Sequence, residues 1–254
     1  MKKLIAIAVS FALIGGSLLI PHAAASAADS QKEIVVDQST LYECDMVKSL
    51  QKKPCGQLMK MGYSKDEIVA LKAIKAGRSR CGVLKYTVSY YRDSFKYRKG
   101  ITRLKTKMTF HWTRRPVCQF TDVMAMTTSK SFHRTGSWAR VTYYLGGNTG
   151  KNRRTISKKV RTVRSGIGTY CRYAVAKRWL HGHGMAIYTA RSGYMVTSWQ
   201  TSGKVKCAGI SSNYGHTVIK LSPCVTFTPR GAEISFSPSR YVKYGPEAYS
   251  YVCR

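Results

Sequence analysis

Arg103-Leu104-Lys105-Thr106-Lys107-Met108-Thr109-Phe110-His111-Trp112 is the stretch whose reading decides the fold. Leu104, Thr106, Met108, Phe110 and Trp112 alternate with Arg103, Lys105, Lys107, Thr109 and His111. Successive side chains of a strand point to opposite faces, so a period of two reads as a strand with one buried and one wet face. Leu84, Tyr86, Val88 and Tyr90 alternate in the same way with Lys85, Thr87 and Ser89. Further strand-like runs lie near 120–127, 138–145, 171–179, 185–190 and 194–201, then at 216–221, 225–228 and 232–237. Pro229-Arg230-Gly231 between the last two reads as a hairpin turn. Many short strands punctuated by Gly, Ser and Pro predict a mainly β chain, an antiparallel β-sandwich-like domain over 81–254. Strands alternating with long helices, as a parallel sheet would need, are absent.

Upstream of Cys81 the composition changes. Residues 28–80 carry seven acidic and ten basic side chains, close to balance. Ser64 followed by Glu67 has capping-box spacing, and Ile68, Leu71, Ala73 and Ile74 supply an apolar face at helical spacing. Gly77 reads as a stop, and a shorter helix is expected around Leu41 to Leu50. This portion is expected to be a short, partly helical N-terminal segment. Before it stands a basic Met1-Lys2-Lys3, an apolar run from Leu4 to Ile20 and Ala23-Ala24-Ala25-Ser26-Ala27. That order predicts a secretory signal peptide over 1–27, cleaved after Ala27, and hence an extracellular or cell-surface location. The alternative is a membrane anchor, since the run is close to spanning length.

All eight cysteines follow that segment: Cys44, Cys55, Cys81, Cys118, Cys171, Cys207, Cys224 and Cys253. An even count on a secretory route makes all of them disulfide candidates. Cys44 with Cys55 and Cys207 with Cys224 are the nearest pairs in sequence and the first expectation. No C-x-x-C is present, which points away from a redox motif or a zinc ribbon.

Charge narrows the chemistry. Between Asp122 and Glu233 there is no carboxylate side chain, while 18 Lys and Arg fall in the same 110 residues. The net charge is +32. An acid/base pair in the β region would have to come from Asp93, Asp122, Glu233 and Glu247. Phe120, Asp122, Met124 and Met126 share one side of a strand, so Asp122 is expected to face apolar neighbours. There it would act as a raised-pKa base, or else pair with Arg114, Arg115 or another cation. His181-Gly182-His183 offers two imidazoles but no third metal ligand nearby in sequence, so no metal is assigned. His216, placed at a strand start, reads as a structural histidine. No Gly-x-Ser-x-Gly elbow or phosphate-cradling loop is found, and nothing identifies a cofactor. The enzyme reading is left without support and catalytic residues unassigned; its one version would use Asp122, His111 or His216.

The cations are the more concrete signal. Residues 151–164 hold seven basic side chains and no acid, and a second cluster runs from Lys96 to Arg115. Strand alternation places Arg103, Lys105 and Lys107 on one exposed face with His111. Arg103, Lys105, Lys107, Arg153, Arg154, Lys158, Lys159 and Arg161 are therefore the expected polyanion-binding residues. The expected partners are an anionic wall polymer, an anionic membrane surface or, without sequence specificity, nucleic acid. The 17 Tyr and 4 Trp could add stacking or an interfacial contact.

Residues 107–122 (KMTFHWTRRPVCQFTD) and 213–223 (NYGHTVIKLSP) resemble segments of secreted, β-rich proteins of Gram-positive bacteria. The resemblance implies a secreted β fold and no catalytic residue. The function expected is that of a secreted, cationic, non-enzymatic protein binding anionic envelope polymers or membrane surfaces. The alternatives are a cationic toxin or antimicrobial that disrupts membranes, or an extracellular hydrolase.

Overall fold

The alternating run forms one 14-residue strand, β4 (Ile101–Arg114), whose even-numbered side chains from Thr102 to Trp112 are all buried. The structure, a computed structural model, describes residues 32–75, 81–129, 131–145, 155–165, 168–181, 183–217, 224–227, 234–237 and 242–253. The expected signal peptide, the hairpin turn at 229–231, and Arg153 and Arg154 lie outside these residues.

In chain order the strands before β4 are β1 (Glu33–Tyr42), β2 (Val83–Tyr91) and β3 (Lys96–Arg98). After it come β5 (Thr121–Thr128), β6 (His133–Leu145), β7 (Thr155–Val160), β8 (Thr162–Ser165), β9 (Gly168–Ala174) and β10 (Ala176–His181). The last are β11 (Gly184–Ser202), β12 (Cys207–His216), β13 (Cys224–Phe227), β14 (Ile234–Ser237) and β15 (Val242–Cys253). Between β1 and β2 lie α1 (Glu43–Gln51), α2 (Cys55–Lys60) and α3 (Lys65–Ala73). Ser64 caps α3 in the reciprocal box with Glu67 that the spacing predicts.

Sheet A has eight strands, with the path β1-β2-β4-β11-β6-β7, β10 pairing with β11 and β3 with β4. Sheet B has five, in the order β15-β12-β5-β9-β8, and β13 pairs with β14. Every pairing is antiparallel. The inner faces of sheets A and B share one core. Phe110 of β4 stacks on Tyr173 of β9 with centroids 5.0 Å apart and tilts against Tyr214 of β12 at 5.6 Å. Thr106 is buried in the same core because it is satisfied there, accepting from the Trp199 indole at 2.8 Å. The antiparallel β-sandwich-like fold with a helical segment near its N-terminus is what the alternation predicts.

Several elements depart from the expected boundaries. β1 pairs along β2, so residues 33–42 belong to sheet A rather than to a helical piece. The runs at 185–190 and 194–201 form one strand, and the run at 171–179 is divided between β9 and β10. His216 is the last residue of β12 rather than the first of a strand. The basic stretch read as a charge cluster contains β7 and β8, which lie in different sheets.

The disulfide expectation also changes. Cys207 is bonded to Cys253, not to Cys224, because the β12–β15 register sets the two residues directly opposite one another. Cys44 and Cys55 are not joined: Cys44 is buried in the first turn of α1, whereas Cys55 is exposed at the start of α2. Cys81, Cys118 and Cys171 are buried free thiols.

Candidate functional site

Two arrangements hold the chemistry-bearing residues, one sealed and one open. The sealed one begins at Asp122. Alternation with Met124 and Met126 turns its side chain inward near the start of β5, where no charge is stable without a partner. Its partner is not an arginine. His216 Nδ1 lies 2.7 Å from Asp122 Oδ1, and His216 Nε2 lies 3.2 Å from Glu43 Oε1. All three side chains are completely buried.

The surroundings complete the set. Tyr214 donates its hydroxyl to Asp122 Oδ2 at 2.6 Å, and the hydroxyls of Tyr214 and Tyr173 contact each other. Glu43, the first residue of α1, accepts backbone N–H groups from Gly82 at 2.8 Å, Val117 at 2.7 Å and Cys118 at 2.7 Å. Trp112 packs edge-on against the imidazole, with centroids 4.9 Å apart. Gly82 is required there, since a Cβ would stand 2.7 Å from Pro116 Cα and 2.9 Å from Glu43 Oε2.

Electrostatics follow from this geometry. Burial pushes the His216 pKa down, but the charge and hydrogen bonds of Asp122 and Glu43 outweigh it and hold the pKa at about 10. Burial pushes Glu43 up, but His216 and the amides of Cys118 and Val117 bring it below its ordinary value. At neutral pH His216 is thus an imidazolium, held between Asp122 and Glu43. His216 cannot accept a proton as a general base when it already carries one, and no substrate reaches it. His111 lies on the outer face of β4, away from this cluster, its pKa lowered by burial and by Arg191 and Lys85. Asp122, His216 and Glu43 together clasp β5, β12 and α1. The thiols beside it are equally unsuited to nucleophilic work, since burial, Cys44 and Glu43 raise the Cys81 pKa to about 12. Among the described residues no three His, Cys, Asp or Glu side chains are grouped to hold a metal ion.

The open arrangement is the outer face of sheet A. Register aligns Thr87, Thr109, Tyr194, Arg140 and Lys159 in one row across β2, β4, β11, β6 and β7. The next row holds Ser89, Lys107, Val196 and Trp138. Lys85 and His111 stand in the row on the other side. These five strands contain no Asp or Glu. Trp138 is 45 % exposed and meets Tyr194 edge-on at 5.0 Å, and Lys107 Nζ stands 5.8 Å from the Tyr194 ring centre. The centre of the face is therefore an aromatic pair ringed by cations.

Six of the eight residues expected to bind a polyanion lie among the described residues, and they do not all share one face. Arg103, Lys105 and Lys107 do share the outer face of β4. Lys107 is tied to Glu33 of β1 by a 2.7 Å ion pair, and Lys105 Nζ lies 5.6 Å from the Tyr91 ring centre. Lys159 joins the face opposite Arg140, but Lys158, one residue away, pairs with buried Val141 and lies over Trp179. Arg161 sits between β7 of sheet A and β8 of sheet B. Arg140, Trp138 and Tyr194 were missed in the sequence. Only the β6–β11 register brings them together, and Arg140 stands in a run without a charge cluster.

The sequence matches no protein-family model, and no curated protein matches it. Solved structures with a faint likeness include the following three. One is described as a pore-forming protein, with 8 % identity and a TM-score of 0.27 over 67 % of this chain and 84 % of that one. The second is the KRT10-binding region domain of the pneumococcal serine-rich repeat protein PsrP, at 10 % identity and TM-score 0.22 over 52 % and 77 %. The third is Clostridium perfringens delta-toxin, at 8 % identity and TM-score 0.20 over 53 % and 73 %. Likenesses this slight assign neither fold nor function.

Proposed function

We propose that this chain is a cationic, non-enzymatic binding protein whose sheet A outer face holds a phosphate-bearing polymer of the cell envelope. One observation carries this reading: five adjacent strands without a carboxylate present Arg140, Lys159, Lys85 and Arg103 around the exposed Trp138 and the half-buried Tyr194 it meets. Neighbouring strands lie about 4.8 Å apart, so the row from Thr109 to Lys159 spans about 15 Å. That is long enough to meet several charges of an extended polyanion at once. Arg and Lys supply charge to phosphate, and Trp138 offers a flat surface to a sugar ring or base. Glu33 tempers the β1 edge, which favours β11, β6 and β7 as the centre of the proposed site.

Sedimentation with purified bacterial walls, with and without their phosphate polymers, tests the proposal. Binding is expected to require the polymer and to fall steeply with salt. Trp138→Ala is expected to weaken it by about 1 kcal/mol. Equal binding to stripped walls would contradict the proposal, and dye release from anionic vesicles would move the chain to the membrane-disrupting class.

A further inference from the structure

The β10–β11 hairpin carries a second surface of different character. Leu180 is 73 % exposed, Met185 64 % and Ile187 45 %. Leu180 pairs directly with Met185, and Arg178 with Ile187, so period-two alternation puts all four on one side of the hairpin. The opposite side carries Trp179, Ala186 and Tyr188, which pack toward the core, with Trp179 edge-on to Tyr143 and Tyr188. The three exposed apolar side chains are thus surplus to the core. They lie beyond the region where β4 pairs with β11, since that pairing begins at Ser192. They also fall on the side of sheet A away from the core, the side that carries Tyr194 and Trp138.

We propose that this hairpin end inserts into the interface of an anionic phospholipid bilayer. The order of groups along the hairpin favours lipid over a protein partner. Leu180 and Met185 form the outermost apolar pair, and Arg178 follows on the same side two residues back, about 7 Å along the strand. Apolar groups ahead of a cation match a bilayer entered from water, whose acyl boundary lies behind a layer of anionic headgroups. The net charge of +32 adds long-range attraction to the same surface. The inference stands on the hairpin end and not on the polymer-binding face, so the two can fail separately.

Sedimentation with vesicles of phosphatidylcholine containing phosphatidylglycerol, compared with phosphatidylcholine alone, tests it. The full chain is compared with the variant Leu180→Ser, Met185→Ser, Ile187→Ser, whose changes are all exposed; matching thermal melts show that the fold is intact. The expected result is tight binding to anionic vesicles, with a fraction that stays bound in 1 M salt. The triple variant is expected to lose that fraction and to bind at least about tenfold more weakly, because burial of apolar side chains resists salt while ion pairing does not. Its binding to phosphate-bearing walls is expected to be unchanged. Equal vesicle binding by wild type and variant would overturn the inference. So would complete release of the wild type in 1 M salt, or no binding to anionic vesicles at all.

Discussion

His216 is a cation in a place where a cation alone would be unstable. Asp122 and Glu43 make it tolerable, and each of them depends on it in turn. Replacing His216 with Gln leaves two buried carboxylates facing a neutral amide, and unfolding free energy is expected to drop by about 3–5 kcal/mol in urea titrations. The pH dependence follows from the shifted groups. The His216 pKa is raised in the fold, so its contribution is full below pH 6.5 and disappears as pH rises toward about 10. The Glu43 pKa is lowered, so its contribution is present above 4.5 and lost as pH falls below that value. Urea midpoints are therefore expected to decline from pH 6.5 to 10 in the wild type, with a flatter decline in His216→Gln. An unchanged slope in the variant would show that another group titrates there. Of this cluster, the inward aim of Asp122 was legible, because alternation with Met124 and Met126 dictates it. Glu43 was not, because its partners Gly82, Val117 and Cys118 are brought to it only by the folded β1–β2 and β4–β5 regions.

At the scale of elements, the sequence shows the strands that have one wet face and hides those that do not. β4 declares itself because its two sides differ chemically. β12 is buried from Ala208 to His216 and, apart from Ile210 and Tyr214, is built of small and polar residues, so it has no clear alternation to read. β1 breaks period two at the bulge between Val35 and Asp37. The pairing of Cys207 with Cys253 was hidden for the same reason, since it follows from two strands without a clear pattern. That bond closes a loop with a sequence separation of 46 and ties β15 to β12. Cys207→Ser with Cys253→Ser is expected to lower stability by about 2–4 kcal/mol. A non-reducing digest checks the connection itself, and recovery of a Cys207–Cys224 peptide would contradict the register.

For the whole molecule, a net charge of +32 is the ground for proposing an anionic partner before any fold is known. What charge counting could not do was choose among cations. Lys158 and Lys159 are identical to a composition argument, yet strand geometry sends them to opposite sides of β7. Lys107 looks free in sequence, yet Glu33 takes it up across β1 and β2. The centre of the proposed site, Arg140 and Lys159 beside Trp138, exists only in the β6–β7–β11 register. Its most direct test is the salt dependence of binding to phosphate-bearing walls for the wild type and for Arg140→Gln with Lys159→Gln. If the outer face of sheet A holds the polymer, the double variant binds more weakly and its log–log salt slope falls by about two. If affinity and slope both match the wild type, the polymer is held somewhere else on the molecule.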